Sequence, residues 1–223
     1  HEVRNPLGGL RGAAQLLEQE LDEDSLKEYT QIIINEADRL QNLMNRMLTP
    51  HQMPVYKKTN IHEILERVRS LILSEFSSNI IFIRDYDISL PEFIVDREKL
   101  IQAILNIARN GAQAMKLNNQ DNMQLSFVTR AERQIVFRKK KHATAIRIDI
   151  VDNGPGIKNE LIDKIFFPLV TGNENGSGLG LSLAQNLISL HQGMIDCHSV
   201  PGKTVFSIIL PIENNLTPTK EKK

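Results

Sequence analysis

The sequence predicts an α+β chain in two parts: an antiparallel helical hairpin over residues 1–54 and a layered domain over residues 55–214, with a disordered polar tail at 215–223. Three observations predict it. Two heptad seams follow one another at the start and stop at a pair of prolines. Helices and strands then interleave irregularly, and the strands arrive late in hairpin-like pairs, which argues against a doubly wound parallel sheet. Finally, 41% of the 223 residues are hydrophobic, enough to form a core.

The first seam runs through Val3, Leu7, Leu10, Ala14, Leu17 and Leu21, in steps of 4, 3, 4, 3 and 4 that line one face of a helix. LDEDS follows as a turn, with Asp24 or Ser25 available to cap the next helix. The second seam is Leu26, Ile33, Ala37, Leu40, Met44 and Met47, and it ends where Pro50 and Pro54 forbid continuation. Ile32, Ile34, Leu43 and Leu48 give the hairpin a second apolar face. A four-helix bundle built by two chains would bury it; packing on the chain's own C-terminal domain is the alternative.

Residues 49–59 read as a linker. NIHEILERVRSLILSEF has helical spacing with Asn60 as its cap, and IIFIRDYD and EFIVD read as short strands. DREKLIQAILNIARNGAQAMK is a long amphipathic helix, and LSFVTR, QIVFRK and AIRIDIVD are strands by their β-branched content. ENGSGLGLSLAQNLISLHQ is a glycine-rich loop entering a helix, and MIDCHSV and KTVFSIILPI close the domain around a PGK turn.

Lys+Arg and Asp+Glu are 27 each, which argues against a nucleic-acid binder. Cys197 is the single cysteine, so there is no intrachain disulfide and no cysteine metal site. No apolar run approaches the roughly 20 residues that span a bilayer, so this region is read as free of membrane and cytoplasmic. His51, His62, His142, His191 and His198 lack metal-ligand spacing and read as surface or packing residues. FRKKKH (137–142) reads as a solvated hairpin tip, and Cys197 as a strand residue.

Three stretches of the second part point to one ligand. DNGPGI (152–157) follows a strand; Gly154 and Gly156 let the backbone turn sharply against a flat ligand, and Asp152 can accept a hydrogen bond from an exocyclic amine. NGSGLGLSLA (175–184) sets Gly176, Gly178 and Gly180 at alternate positions before a helix, whose exposed amides favour phosphate oxygens. It is not a Walker A loop, because GxxxxGK[ST] is absent. NIARNGAQAM (106–115) places Asn106 and Asn110 one helical turn apart, two amides costly to bury unpartnered and suited to a hard cation that bridges phosphates. A plain turn at 152–157 and local backbone bonds for the two asparagines are the alternatives for each stretch alone.

In this order, the paired asparagines, DNGPGI and GSGLGL resemble the N, G1 and G2 boxes of the GHKL ATP-binding fold, shared by histidine kinases, gyrase B, Hsp90 and MutL. KIFFPLVTG (164–172) resembles the intervening F box, and GKTVFSIILP the final strand segment. The resemblance implies an α/β sandwich in which Asp152 holds the adenine amino group and Thr204 lies near the base. It also implies that Asn110 coordinates Mg2+, with Asn106, Gly154 and Gly156 lining the site. Gly176, Gly178, Leu179 and Gly180 would belong to a lid over the phosphates of ATP. Hydrolytic members carry a glutamate where this chain has Asn106, and an amide cannot accept a proton near neutral pH. The implied domain keeps ATP from water and awaits another nucleophile.

HEVRNP at residues 1–6 supplies one. It resembles the H box of dimeric sensor histidine kinases, which opens a heptad hairpin as here. His1 would attack the γ-phosphate, and Glu2 would take the proton or orient the ring. Asn5, one turn on, would position water for dephosphorylation of a partner, and Pro6 would kink the helix. RGAAQLL, EYTQIIINEADRL, RDYDISLPE and FFPLVTGNENGSGLGLSLAQNLI further resemble the nitrogen-regulation (NtrB) type over residues 1–212. That likeness implies a homodimer, a sensory PAS domain upstream, phosphotransfer to an aspartate of the response regulator NtrC, and a shift toward phosphatase action by the PII signal protein. Gln113 departs from the type, standing where many histidine kinases have a basic residue; Arg109 or Lys116 would then help neutralise phosphate. A GHKL ATP hydrolase and a nucleotide-binding docking module are the rival readings.

Overall fold

The computed structural model describes residues 4–21, 26–34, 37, 53–76, 80–137, 140–172 and 176–212. It divides into two compact units, His1–Met53 and Pro54–Lys223.

In the first unit α1 spans Arg4–Glu20, and a second helical run, α2, covers 26–34. Ala14, Thr30, Ile34 and Ala37 are buried, whereas the seam residues Leu10, Leu17, Leu26 and Ile33 stand exposed. Among the described seam residues Ala14 and Ala37 are buried and Leu21 is half-buried, so most of the seam's larger aliphatics are left for something outside the hairpin to cover. Leu40, Leu43, Met44, Met47 and Leu48 lie outside the described residues, as do His1, Glu2 and the tail from 213.

The second unit opens with β1 (Tyr56–Thr59), α3 (Ile61–Phe76), β2 (Ile80–Asp85) and β3 (Phe93–Asp96). Next come α4 (Arg97–Leu117), β4 (Met123–Phe137) and β5 (Lys140–Asp152). The single-turn α5 (Asn159–Ile162), α6 (Gly180–Leu190), β6 (Met194–Val200) and β7 (Lys203–Pro211) complete it. A five-stranded sheet runs in the order β2-β4-β5-β7-β6, parallel only at β2/β4, and β1 pairs with β3 in a separate two-stranded sheet. Leu125 and Phe127, Ile146, Ile148 and Ile150, and Phe206, Ile208 and Leu210 are buried at alternate positions of their strands. They share one core with Ile64, Leu65 and Val68 of α3, Ile104 and Met115 of α4, and Ile188 of α6. On the opposite face Asp149 Oδ1 accepts hydrogen bonds from Arg147 Nε (2.9 Å) and Ser207 Oγ (2.7 Å). The result is an α/β sandwich of two layers.

Two local expectations change. The 49–59 linker contains a strand, because Tyr56–Thr59 finds backbone partners in Phe93–Asp96, far along the chain. LSFVTR and the described part of QIVFRK, Gln134 to Phe137, form one strand, β4, not two. The charged stretch between them stays extended because β2 and β5 offer counter-charges: Arg130 pairs with Asp85, and Glu132 lies 3.7 Å from Arg147.

The ends of α4 and α6 are locked together by a buried polar group. Asp96 caps α4 by accepting from Lys99 N (3.1 Å) and also takes the Val55 N–H (2.9 Å). The Asp96 N–H in turn donates to His191 Nε2 (3.0 Å), while His191 Nδ1–H donates to the Leu187 carbonyl (2.7 Å). Both ring nitrogens are used by a neutral imidazole, and burial lowers the His191 pKa. His191 is therefore a packing residue, as is His62, stacked on Tyr86.

Candidate functional site

Asp152 ends β5 in register with Thr204 of β7, and Thr204 is in register with Ser199 of β6. The three side chains thus form one cross-strand row. Asp152 is buried, and its Oδ1 accepts the Gly154 N–H (2.9 Å). Burial pushes its carboxyl above the ordinary range, and the Gly154 bond only partly opposes this. Space for the carboxylate comes from two glycines: a Cβ at Gly111 of α4 would lie 2.9 Å from Asp152 Oδ2, and one at Gly154 2.8 Å from Oδ1.

The loop after β5 is fixed on both sides. Asn153 Oδ1 accepts from Gln124 N (2.8 Å), and Asn153 Nδ2 donates to the Asn122 carbonyl (2.8 Å). Across the loop, Gly202 N donates to the Gly154 carbonyl (2.9 Å), and Ile157 N donates to Ser199 Oγ (2.9 Å). Gly156 takes φ +83°, and a Cβ there would lie 3.0 Å from the Val200–Pro201 backbone. Gly156 thus serves a backbone crossing that a side chain would obstruct, while Gly154 leaves room for the Asp152 carboxylate.

The second cluster forms where α4 meets the start of α6. Asn106 Nδ2 donates to the Gly180 carbonyl (3.3 Å), and a Cβ at Gly180 would be 3.6 Å from Asn110 Oδ1. Both asparagines are half-buried. Leu179 N-caps α6 and is itself buried. Gly178 has φ +64° and packs so tightly on Leu169 that a Cβ would lie 2.5 Å from its carbonyl carbon. Its own carbonyl accepts the Leu169 N–H (3.0 Å). The Phe166 ring meets Phe206 edge-on with centroids 6.4 Å apart, which ties the 164–172 segment to the sheet. Gly176 is half-buried.

The sequence-derived residues therefore gather into two groups: Asp152, Gly154, Gly156 and Thr204 along the sheet end, and Asn106, Asn110, Gly178, Leu179 and Gly180 at the α4–α6 junction. Asn5 lies in α1 of the other unit, and its side chain is outside the described residues. Arg109 and Lys116 both have partners at the C-terminal end of α3. Arg109 donates to Glu75 Oε2 through Nε and Nη2 (2.9 and 2.7 Å), and Lys116 sits 5.9 Å from the Phe76 ring centroid. Both are held at the end of α3. Cys197 shares the core, and burial with the nearby Asp196 and Asp152 carboxylates pushes its thiol up to about 12.

Sequence reasoning missed Gly111, Asn153 and Ser199. Ser199 was recoverable: a two-residue Pro201-Gly202 turn pairs Val200 with Lys203 and so sets Ser199 opposite Thr204. Asn153 and Gly111 had no such local signal, because their partners are distant in sequence.

Comparison with known proteins matches the two ends of the chain to different domain families. Residues 1–53 match the His Kinase A (phospho-acceptor) domain. The sensory histidine kinase/phosphatase NtrB of Vibrio alginolyticus is 50% identical over 212 residues, covering 95% of this chain and 60% of the relative. That of Salmonella typhimurium is 47% identical over the same length, with the same coverage. The chain thus spans about 60% of the length of these curated relatives. Among solved structures, the histidine kinase ThkA in complex with response regulator protein TrrA is 26% identical, with a TM-score of 0.62 over 95% of this chain and 59% of that one. Full-length ShkA in complex with AMPPNP shares the fold at 22% identity and a TM-score of 0.62, over 98% of this chain and 46% of that one. Residues 95–214, more than half of the 223, match the model for histidine kinase-, DNA gyrase B- and HSP90-like ATPases, and the chain belongs to that family.

Proposed function

We propose that this chain is the core of a bifunctional sensor histidine kinase and phosphatase of the nitrogen-regulation type. It phosphorylates His1 from ATP, passes the phosphoryl group to an aspartate of a response regulator, NtrC by likeness to the relatives, and also removes it. PII would set the balance between the two actions. The exposed aliphatic seam of the hairpin supports a homodimer.

In this reading Asp152 accepts from the adenine amino group, a partner that compensates its buried charge. Thr204 lies beside it on the row. The N-terminus of α6 and the amides near Gly178 and Gly180 receive the phosphates. Among the described residues no group of three His, Cys, Asp or Glu could hold a metal alone. By likeness to the family, Asn110 would hold an Mg2+ ion, whose charge would neutralise phosphate. The unprotonated imidazole of His1 attacks the γ-phosphorus, the bond to the bridging oxygen breaks, ADP departs, and Glu2 takes the ring proton. In the reverse duty Asn5 positions water against a phospho-aspartate.

One observation carries the choice of kinase over hydrolase. Residue 106 is an amide that donates to Gly180, not a carboxylate able to activate water. Incubation with γ-labelled ATP tests it. The label should be acid-labile and base-stable and should vanish in His1→Gln. Steady phosphate release undiminished by His1→Gln would point instead to an ATP hydrolase.

A further inference from the structure

Ser199 has no part in the reading above, yet its hydroxyl sits at the junction of the loop and the row. Ser199 Oγ accepts the Ile157 N–H (2.9 Å) and lies 2.9 Å from Thr204 Oγ1. Thr204 is buried, and among the described residues Ser199 is the side chain its hydroxyl meets. A serine hydroxyl has one proton and two lone pairs. With one lone pair taken by the Ile157 amide, Ser199 keeps its proton and a second lone pair, so either hydroxyl can donate across this contact; in one of the two arrangements Ser199 gives its proton to Thr204 Oγ1. The Thr204 proton is then left to point away from Ser199, on the side where its register partner is Asp152.

We infer that Ser199 is a positioning residue for base recognition: it orients the Thr204 hydroxyl as a donor beside the Asp152 carboxylate acceptor. The row then offers one acceptor and one donor side by side. Adenine presents the complement, an exocyclic amine donor next to a ring-nitrogen acceptor. Guanine presents the reverse, a carbonyl next to a ring N–H. The row therefore selects adenine over guanine, and the selection depends on a hydroxyl at residue 199 that does not touch the base. The inference rests on the nucleotide-binding reading.

The test is calorimetric titration of the full chain with ADP and with GDP, each with magnesium, for the wild type and for Ser199→Ala, Ser199→Thr and Thr204→Val. Thermal unfolding of each variant verifies that it is folded. Ser199→Ala should weaken ADP about tenfold, one hydrogen bond's worth, and leave GDP unchanged or tighter, so that the ADP/GDP ratio falls at least tenfold. Ser199→Thr keeps the hydroxyl and should restore the ratio. Thr204→Val should lose the ratio as Ser199→Ala does, and the two changes together should lose little more than either alone, since they act through one bond. Equal weakening of ADP and GDP by Ser199→Ala, or an unchanged ratio, would overturn the inference and leave nucleotide binding standing. Absence of ADP uptake by the wild type would overturn both.

Discussion

The two units treat large aliphatic side chains in opposite ways. In the C-terminal unit Ile64, Leu65 and Val68 of α3 and Ile104 of α4 are wholly shut away under the sheet. In the hairpin Leu10, Leu17, Leu26 and Ile33 are 57, 52, 41 and 47% exposed, and what is buried is small or isolated, such as Ala14 and Ala37. A contiguous apolar face of this kind is characteristic of an interface. The contrast teaches that the C-terminal unit's stability resides in its own contacts, whereas the hairpin's depends on what covers the seam. Stability of the first kind is independent of protein concentration, and that of the second rises with it.

The strongest way to break this comparison is to charge the seam. Leu17→Glu with Ile33→Glu should weaken self-association at least about 100-fold, because each carboxylate would be stranded in a desolvated seam. Sedimentation should then show a monomer that still binds ADP as the wild type does. An unchanged dimer mass would mean that the seam is not the interface. Next in size, Asp152→Asn should weaken ADP by about ten- to 100-fold. It should also raise the midpoint of the ligand-free C-terminal unfolding transition by roughly 2–4 °C, while leaving the hairpin transition alone. The sign follows from the raised carboxyl pKa: in the ligand-free fold the charge is held at a cost that grows as pH rises through that pKa, and the amide removes it.

Gly178→Ala sharpens the comparison from within the unit. Its Cβ would lie 2.5 Å from Leu169 backbone in a left-handed conformation. It should weaken ADP by about tenfold, at a conformational cost of about 1–3 kcal/mol, without changing the oligomeric mass. The smallest effect is on pH dependence. His191 is held neutral by burial, facing the Asp96 amide and carboxylate, with Lys99 and Tyr56 near it. Its folded pKa lies below the unfolded one, so the unfolded chain binds more protons below about pH 6.5. The stability of the C-terminal unit should therefore fall as pH drops through that range, by at most about 1.4 kcal/mol per pH unit for this group. Denaturant melts at pH 5 and 7.5 should show a shallower fall in His191→Gln. His62, lowered by burial as well, contributes in the same direction.

What could be read from the sequence was what depends on near neighbours. The Asn106/Asn110 pair, DNGPGI and GSGLG were visible because a helical turn, a tight turn and a helix start are local events, and Asn60 was visible as a cap, its Oδ1 accepting the His62 N–H (2.9 Å). What escaped depends on residues far along the chain. Tyr56–Thr59 became a strand only because β3 lies beside it, and Arg109 has an ion-pair partner in Glu75, 34 residues away, that no local pattern announces. The hairpin seam was legible as a pattern, but a pattern does not state whether one chain or two will cover it.

The bond from Asn106 to Gly180 also bears on how catalysts of this family diverge. A glutamate at that place would set oxygen against the Gly180 carbonyl oxygen, and the first turn of α6 would lose its tether just as a water-activating group arrived. Gaining hydrolysis by that route is thus no neutral single step: it would demand a compensating change at the helix start, and the two substitutions would be epistatic. Residues 106 and 180 are thus coupled through one contact, and a change at either is felt at the other.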